Sequence, residues 1–235
     1  MVQYTLTYFD MRGRAESIRQ VFAHAGVAFD DVRVARDKWP ELKKRSSPNL
    51  LVFSKKYEFT GCVQNNRCYH SQWVLVSDTP FGQLPLLEVD GQQIGQSMTI
   101  LRFLGKQFKL TGDTPLEEAR VEMIADYVQE FYEEIKPYMT VFLGFGKGDK
   151  DALYEENFVP NRDKYLGLLV KNIPGDFILG DRITWADIHL ANSIELLDKI
   201  PGALDKFPSL KALANRVHST PRLRAYLANR PDAPY

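Results

Sequence analysis

Residues 4–16 read YTLTYFDMRGRAE and decide the fold of this chain. The segment begins as a short strand over residues 4–8 and is predicted to enter a helix near Arg14. Tyr8 therefore ends a first strand beside the amino terminus of a helix, where a hydroxyl can face an anion that the helix dipole also favours. We infer that this anion is a thiolate, so the sequence predicts an active site at this junction.

Length and charge narrow the class of protein. The chain has 235 residues, which suits two modest domains or one large one. Thirty basic residues balance 30 acidic ones, so no net field attracts nucleic acid or an anionic membrane. No apolar run reaches the roughly 18 residues of a membrane span, and the amino terminus has the pattern of a strand rather than a signal peptide. We expect a cytoplasmic enzyme that acts on small molecules, with no nucleic-acid or membrane partner.

The cysteines give no sign of a disulfide or metal centre. Cys62 and Cys68 are the only two in the chain, and their spacing fits neither a disulfide framework nor a zinc motif. With His70 they supply at most three metal ligands and no clear fourth. We therefore predict reduced thiols and no metal site.

The amino-terminal part alternates strand and helix patterns. Gly26 follows the first helical pattern and is predicted to be its C-cap, and Asp90-Gly91 forms the turn of a predicted hairpin. Ser97 is predicted to cap the next helix. The expected elements are a helix over 17–25, a strand over 29–34, two short strands over 86–94 and a helix over 98–108. This order predicts a thioredoxin-like α/β domain over residues 1–110.

The remainder of the chain has helical patterns. Residues 111–115 form a predicted linker, and Pro137 is expected to kink or end a helix over 117–141. Thr184-Trp185-Ala186-Asp187 is predicted to be a capping box in which Asp187 replaces the usual glutamate. We therefore expect an all-helical domain, a helical bundle, over residues 116–235.

Several motifs, in the right order, resemble those of the cytosolic glutathione S-transferases, and most closely the sigma-like class of invertebrates, nematodes included. These motifs are residues 4–16, Trp39-Pro40-Glu41-Leu42-Lys43, residues 80–85 (PFGQLP), residues 87–91 (LEVDG), Gln96-Ser97 and residues 184–187 (TWAD). The resemblance implies a cytoplasmic homodimer that conjugates glutathione to hydrophobic electrophiles in detoxification. It also implies that glutathione is a co-substrate and that no bound cofactor is needed.

The resemblance assigns two catalytic residues. The phenol of Tyr8 would donate a hydrogen bond to the sulfur of glutathione and favour its thiolate. Arg14 would add positive charge nearby. The electrophile would bind beside Tyr8, against the first helix of the helical domain and the carboxyl-terminal segment.

The resemblance also assigns the peptide-binding residues. They are Tyr8, Trp39, Lys43, Gln83, Leu84, Pro85, Gln96, Ser97 and Glu130. The Leu84–Pro85 bond would be cis and would present the backbone of Leu84 to the cysteinyl part of glutathione. Glu130 stands where the family places an acidic group that contacts the γ-glutamyl amine of the glutathione bound to the partner subunit. The family pattern leads us to expect aspartate at this position.

Ordinary structural roles are open for the same residues when each is taken alone. Gln96 and Ser97 as a bare pair would mean only a helix cap, and Trp39 with Lys43 would mean a half-buried aromatic beside a solvated lysine. Tyrosine is also common inside sheets, so Tyr8 could simply pack there.

One block departs from the family pattern. Residues 45–77 are about 33 extra residues, and their removal restores the ordinary spacing between the Lys43 and Pro80 motifs. Three accounts are open: a surface loop with a regulatory role, a disordered excursion, or translated intron from a splice variant or an incorrect gene assignment. The block interrupts the predicted glutathione site and precedes Phe81, which in related classes packs into the partner subunit. We therefore expect it to affect binding and dimerisation.

Alternative functions come from different classes of protein. A noncatalytic member of the family could be a crystallin-like structural protein or a carrier of hydrophobic ligands. A prostaglandin D synthase-type isomerase would use the same thiolate. A thioredoxin-type oxidoreductase is disfavoured because Tyr8 occupies the place where that chemistry needs a cysteine.

Overall fold

The computed structural model describes residues 2–35, 54–59, 68–69 and 79–235, with only the backbone of 54–59 and 68–69. Its contacts define two compact units, Met1–Phe108 with Thr220–Tyr235, and Lys109–Ser219. Residues 220–235, at the end of the predicted helical domain, thus belong to the first unit. Trp39 and Lys43, two of the predicted peptide-binding residues, lie outside the described residues.

The first unit is a mixed sheet with helices. The strands are β1 (Tyr4–Phe9), β2 (Phe29–Val34), β3 (Ser54–Phe59), β4 (Cys68–Tyr69), β5 (Leu86–Val89) and β6 (Gln92–Gly95). Across the described residues they form one sheet of six strands in the order β4-β3-β2-β1-β5-β6. β1 and β2 are parallel, while the other neighbouring strands pair antiparallel. The helices of this unit are α1 (Glu16–Ala25), α2 (Ser97–Gln107) and α9 (Pro221–Asn229), with a 3₁₀ turn at Gly13–Ala15.

The βαβ part forms because apolar side chains recur at helical spacing between two strands. Leu6 of β1 and Ile18 and Phe22 of α1 are fully buried. Phe22 also stacks on Phe29 of β2, with 4.4 Å between ring centroids. Gly26 then ends α1 in the left-handed conformation, at φ 70°, as the C-cap that the sequence predicts.

The hairpin and the following helix complete the thioredoxin-like unit, confirming the predicted fold class. Asp90 and Gly91 take φ angles of 47° and 83° in the tight turn between β5 and β6. Helix α2 begins at Ser97, so Gln96 holds the N-cap position. The predicted helix start was therefore one residue late.

Part of the unusual block joins the sheet. β3 pairs with β2 over six residues, from Phe29 opposite Phe59 to Val34 opposite Ser54. β4 pairs with β3 at two positions. The backbone of residues 54–59 and 68–69 therefore extends the sheet beyond β2.

The second unit is helical, as the sequence predicts. Its helices are α3 (Pro115–Glu134), α4 (Lys136–Phe142), α5 (Lys150–Leu153), α6 (Val159–Asn172), α7 (Trp185–Leu197) and α8 (Pro208–Ser219), with a π-helical turn at Tyr154–Phe158. The break between α3 and α4 falls at Ile135, two residues before Pro137. Thr184 and Asp187 form the predicted capping box at the start of α7. In the part of the chain that is described, no helix combines the length and apolar character needed to cross a membrane.

Candidate active site

The junction between β1 and α1 places a tyrosine hydroxyl at the start of a helical segment. Tyr8 lies near the end of β1 and is 6% exposed. The backbone N–H of Arg14 donates a hydrogen bond to the Tyr8 Oη at 3.2 Å. Because the phenol oxygen accepts this bond, its own O–H is polarised as a donor. A ligand atom that accepts from Tyr8 would also lie near the positive end of the helix dipole.

Gly13 is a functional position that the sequence analysis missed. It has a φ of 41°, and a β-carbon placed there would lie 2.7 Å from the Tyr8 Oη. A side chain at this position would therefore push the phenol away from the Arg14 N–H. The available signal was a glycine, the residue that most readily takes a positive φ, between two arginines in the turn from strand to helix.

A second group of predicted residues lines one pocket in the same unit. The predicted residues in its wall are Arg14, Gln83, Leu84, Pro85, Gln96 and Ser97. Pro80, Phe81 and Gly95 complete the lining. The Leu84–Pro85 peptide bond is cis, as the sequence predicts. Arg14 thus links this pocket to Tyr8 through its backbone N–H.

The amino terminus of α2 forms one side of this pocket. Gln96 takes a φ of 68° and its amide Nε2 donates to the Gln83 Oε1 at 3.4 Å. The N–H of Ile100 makes the first bond of the helix, to the Gln96 carbonyl at 3.0 Å. The N–H groups of the three residues before Ile100 have no acceptor within the helix, which suits this end to binding a carboxylate.

Glu130 lies in the second unit. Its Oε1 accepts a hydrogen bond of 2.6 Å from the phenol of Tyr165, which is 1% exposed. That hydrogen bond and burial raise the pKa of Tyr165 to about 12. Tyr165 is therefore a neutral donor to Glu130.

A buried group of charged side chains, the ionic cluster, accompanies the Tyr8 junction. It consists of Glu16, Arg19, Asp31 and Arg33, each at most 3% exposed. Asp31 accepts from Arg19 Nε at 3.0 Å and from Arg33 Nε at 2.8 Å. Burial disfavours the charge on Arg19, but the nearby anionic groups outweigh it and raise its pKa. The cluster is therefore held together by paired charges.

The fold defines the class of two-domain proteins that couple a thioredoxin-like unit to a helical one. Residues 132–230 match the family described as glutathione S-transferase, C-terminal domain. Glutathione S-transferase 1 of Ascaris suum is 38% identical to this chain, with all of both chains covered. The chain belongs to the glutathione S-transferase family, which confirms the resemblance noted in the sequence.

Solved structures agree with this assignment. A nematode-specific glutathione transferase of Caenorhabditis elegans has a TM-score of 0.83 and 36% identity, with all of both chains covered. Na-GST-3 of the hookworm Necator americanus, described as monomeric, has a TM-score of 0.81 and 36% identity, and covers 99% of this chain and all of its own.

Proposed function

We propose that this protein is a cytoplasmic, sigma-like transferase that conjugates glutathione to hydrophobic electrophiles in detoxification. The observation that carries the proposal is the Tyr8 hydroxyl, hydrogen-bonded by the Arg14 N–H at the start of a helical segment. An ordinary thiol titrates near about 8.5, so glutathione is mostly protonated at neutral pH without help. A hydrogen bond from the Tyr8 O–H to sulfur stabilises the thiolate, which is the nucleophile.

The proposed reaction needs no metal or bound cofactor. The glutathione thiol loses its proton to solvent, and the sulfur lone pair forms a new bond to the electrophilic carbon. With an aromatic halide, the halide leaves with the electron pair of the broken bond. Tyr8 acts as the hydrogen-bond donor throughout, and Arg14 adds positive charge beside the developing thiolate.

The peptide would bind in the pocket beside Arg14. The backbone of Leu84, just before the cis Pro85, would pair with the cysteinyl part in the manner of an added strand. The first turn of α2, with Gln96 and Ser97, would receive the γ-glutamyl carboxylate. The charge-favouring amino terminus of α2 supports this assignment.

The remaining predicted contacts stay proposals from the family pattern. Trp39 and Lys43 would contact the glycyl end, and Gln83 would join Gln96 at the γ-glutamyl end. In a homodimer, Glu130 would approach the γ-glutamyl amine held by the partner subunit. Its carboxylate can accept from that amine and from Tyr165 together, because two oxygens offer several acceptor sites.

The test is Tyr8→Phe, measured as kcat/KM for glutathione and a generic aromatic halide. We expect a fall of about 100- to 1,000-fold, the usual effect of removing one donor to a developing anion. The pH at which the ultraviolet absorbance of the bound thiolate appears should rise in the same variant.

Tyr4→Phe is the matched control. Tyr4 lies on the same strand, is 7% exposed and packs its ring 5.3 Å from Phe22. It should keep the parent rate, since it lies outside the proposed site. A parent chain that binds hydrophobic ligands but shows no turnover would instead identify a carrier.

A further inference from the structure

The carboxyl-terminal segment contacts the turn that carries Arg14. We call residues 226–235 the tether and residues 10–14 the turn. The backbone N–H of Arg12 donates to the Pro234 carbonyl at 2.7 Å, and the Arg12 guanidinium lies 4.6 Å from the centre of the Tyr235 ring. The turn is therefore fixed at Arg12 by a backbone bond and by a cation–π contact.

The tether also contacts the first residue of α1. Arg230 Nη1 donates to the Glu16 Oε1 at 2.8 Å, and the Tyr226 hydroxyl lies 3.2 and 3.3 Å from the two carboxylate oxygens. Burial first, and then the charge of Glu16, raise the pKa of Tyr226 well above its ordinary value. Tyr226 is thus a neutral donor, and the buried carboxylate of Glu16 receives donors from two residues of the tether.

The ionic cluster fixes the same turn from the interior. Arg19 Nη1 donates to the Met11 carbonyl at 3.0 Å and lies 3.5 Å from the Glu16 Oε2. The Glu16 carboxylate is therefore paired with two guanidinium groups, that of Arg19 in the ionic cluster and that of Arg230 in the tether. The residues on both sides of Arg14 are therefore anchored, Arg12 through its backbone N–H and Glu16 through its carboxylate.

We propose that the tether is a positioning element for the active site, and that Arg230 and Tyr226 are its positioning residues. By fixing Arg12 and Glu16, the tether holds the Arg14 N–H on the Tyr8 Oη. That hydrogen bond, at 3.2 Å, is already at the long end of the normal range, so a shift of a few tenths of an ångström would break it. The inference rests on the proposed role of Tyr8.

The experiment compares three full-length or nearly full-length proteins. Arg230→Met keeps the apolar stem and removes the guanidinium, while a chain ending at residue 231 removes Pro234 and Tyr235. Arg224→Met is the control, because Arg224 is exposed on α9, the helix that ends just before Arg230. Each protein is assayed for kcat/KM, for the KM of glutathione, for the pKa of the bound glutathione thiol and for urea unfolding.

We expect the first two variants to raise the pKa of the bound thiol and to lower kcat/KM at neutral pH by about tenfold, less than the ~100-fold that a displacement of 1 Å can cost. The KM of glutathione should stay near the parent value, because the tether is proposed to act on the Arg14 N–H, whereas the peptide contacts proposed for Leu84, Gln96 and Ser97 come from other parts of the chain. Arg230→Lys should restore part of the rate, and Arg224→Met should match the parent.

A merely structural tether would give a different result. If Arg230→Met lowers the free energy of unfolding but leaves the pKa of the bound thiol unchanged, the inference is overturned. Tyr226→Phe removes only one hydroxyl and serves as the second variant where Arg230→Met folds poorly. It should raise the pKa of the thiol in the same direction, and an unchanged value with Tyr226→Phe would also overturn the inference.

A double variant separates this inference from the proposed function. If the tether acts through Tyr8, Arg230→Met should cause no further rise in the pKa of the thiol once Tyr8 is phenylalanine. Additive effects would overturn the positioning role while leaving Tyr8 as the activating group. A Tyr8→Phe protein with unchanged thiol ionisation would overturn the proposed function itself, and the inference that rests on it.

Discussion

Two buried polar groups, one in each unit, are satisfied in different ways. In the first, the ionic cluster pairs cations with anions, as where Asp31 accepts from both Arg19 and Arg33. In the second, the buried Asp187 accepts from neutral donors, which are the N–H and hydroxyl of Thr184 and the N–H of Ile178. Burial raises the pKa of Asp187, and these hydrogen bonds oppose the rise.

The difference shows what each group holds in place. The ionic cluster fixes the backbone of a turn by donating to a carbonyl in it, whereas the Asp187 group closes the start of one helix. Removing one partner of a buried ion pair lowers the free energy of unfolding strongly, because the other charge is left buried without a counter-ion. Removing one neutral donor from a helix cap lowers the free energy of unfolding by less. The three predictions below test this contrast.

The largest effect is expected for Asp31→Asn. The substitution keeps the shape but removes the charge that faces Arg19 and Arg33, leaving buried cations without their main counter-ion. We expect the free energy of unfolding to fall by about 3 to 5 kcal/mol in urea titrations. Asp30→Asn is the control, because Asp30 is half-buried at the next position of β2 and should cost less than about 1 kcal/mol. Equal losses would mean that burial of charge does not set the cost.

The second prediction concerns pH and the second unit. Burial lowers the pKa of His189 to about 4, from an ordinary value of 6.5. Between these values the unfolded chain binds a proton that the folded chain does not, so stability falls as the pH drops. His189 therefore leaves the free energy of unfolding unchanged above about pH 6.5. As the pH falls toward 4, it lowers that free energy by up to about 3 kcal/mol.

His189→Gln checks the assignment. Its free energy of unfolding should vary less between pH 7 and pH 4.5 than that of the parent, because the glutamine has no proton to bind. A parent and variant with identical pH dependence would assign the acid sensitivity to other groups.

The smallest effect is expected at two helix caps. Thr184 is fully buried and caps α7, whereas Thr114 caps α3 at the surface, accepting from the Glu117 N–H at 3.2 Å. Thr184→Ala should lower the free energy of unfolding by about 2 kcal/mol and Thr114→Ala by about 0.5 to 1 kcal/mol. The larger loss at Thr184 reflects its burial together with the hydrogen bond that its hydroxyl also donates to Asp187. A larger loss at Thr114 would contradict it.

Local patterns predicted the elements that place the candidate site. The β1 strand, the first helix, the hairpin around Asp90-Gly91 and the capping box of Thr184 all depend on neighbours within a few residues. Such signals survive in one sequence because the periodicity and turn chemistry are local. The helix break near Pro137 was also predicted, although the exact residue of the break is a matter of packing.

The rest depends on residues that are distant in sequence. Arg19 and Asp31 are 12 positions apart, and Tyr226 reaches Glu16 across 210 positions, so no periodicity shows either pair. The contact between Gly13 and the Tyr8 hydroxyl needs the bend of the chain as well as the residue types. Trp39 and Lys43 remain predictions, since they lie outside the described residues.

The division of the first unit into two separate stretches of chain has a consequence for biosynthesis. The ribosome synthesises residues 220–235 only after it has made all of Lys109–Ser219. The first unit therefore cannot gain its Tyr226 and Arg230 contacts while its own strands are emerging, although amino-terminal domains usually fold first during translation. A nascent chain that stops before residue 220 would expose the Glu16 carboxylate without two of its donors. Completion of this thioredoxin-like unit therefore waits until residues 220–235 have been made.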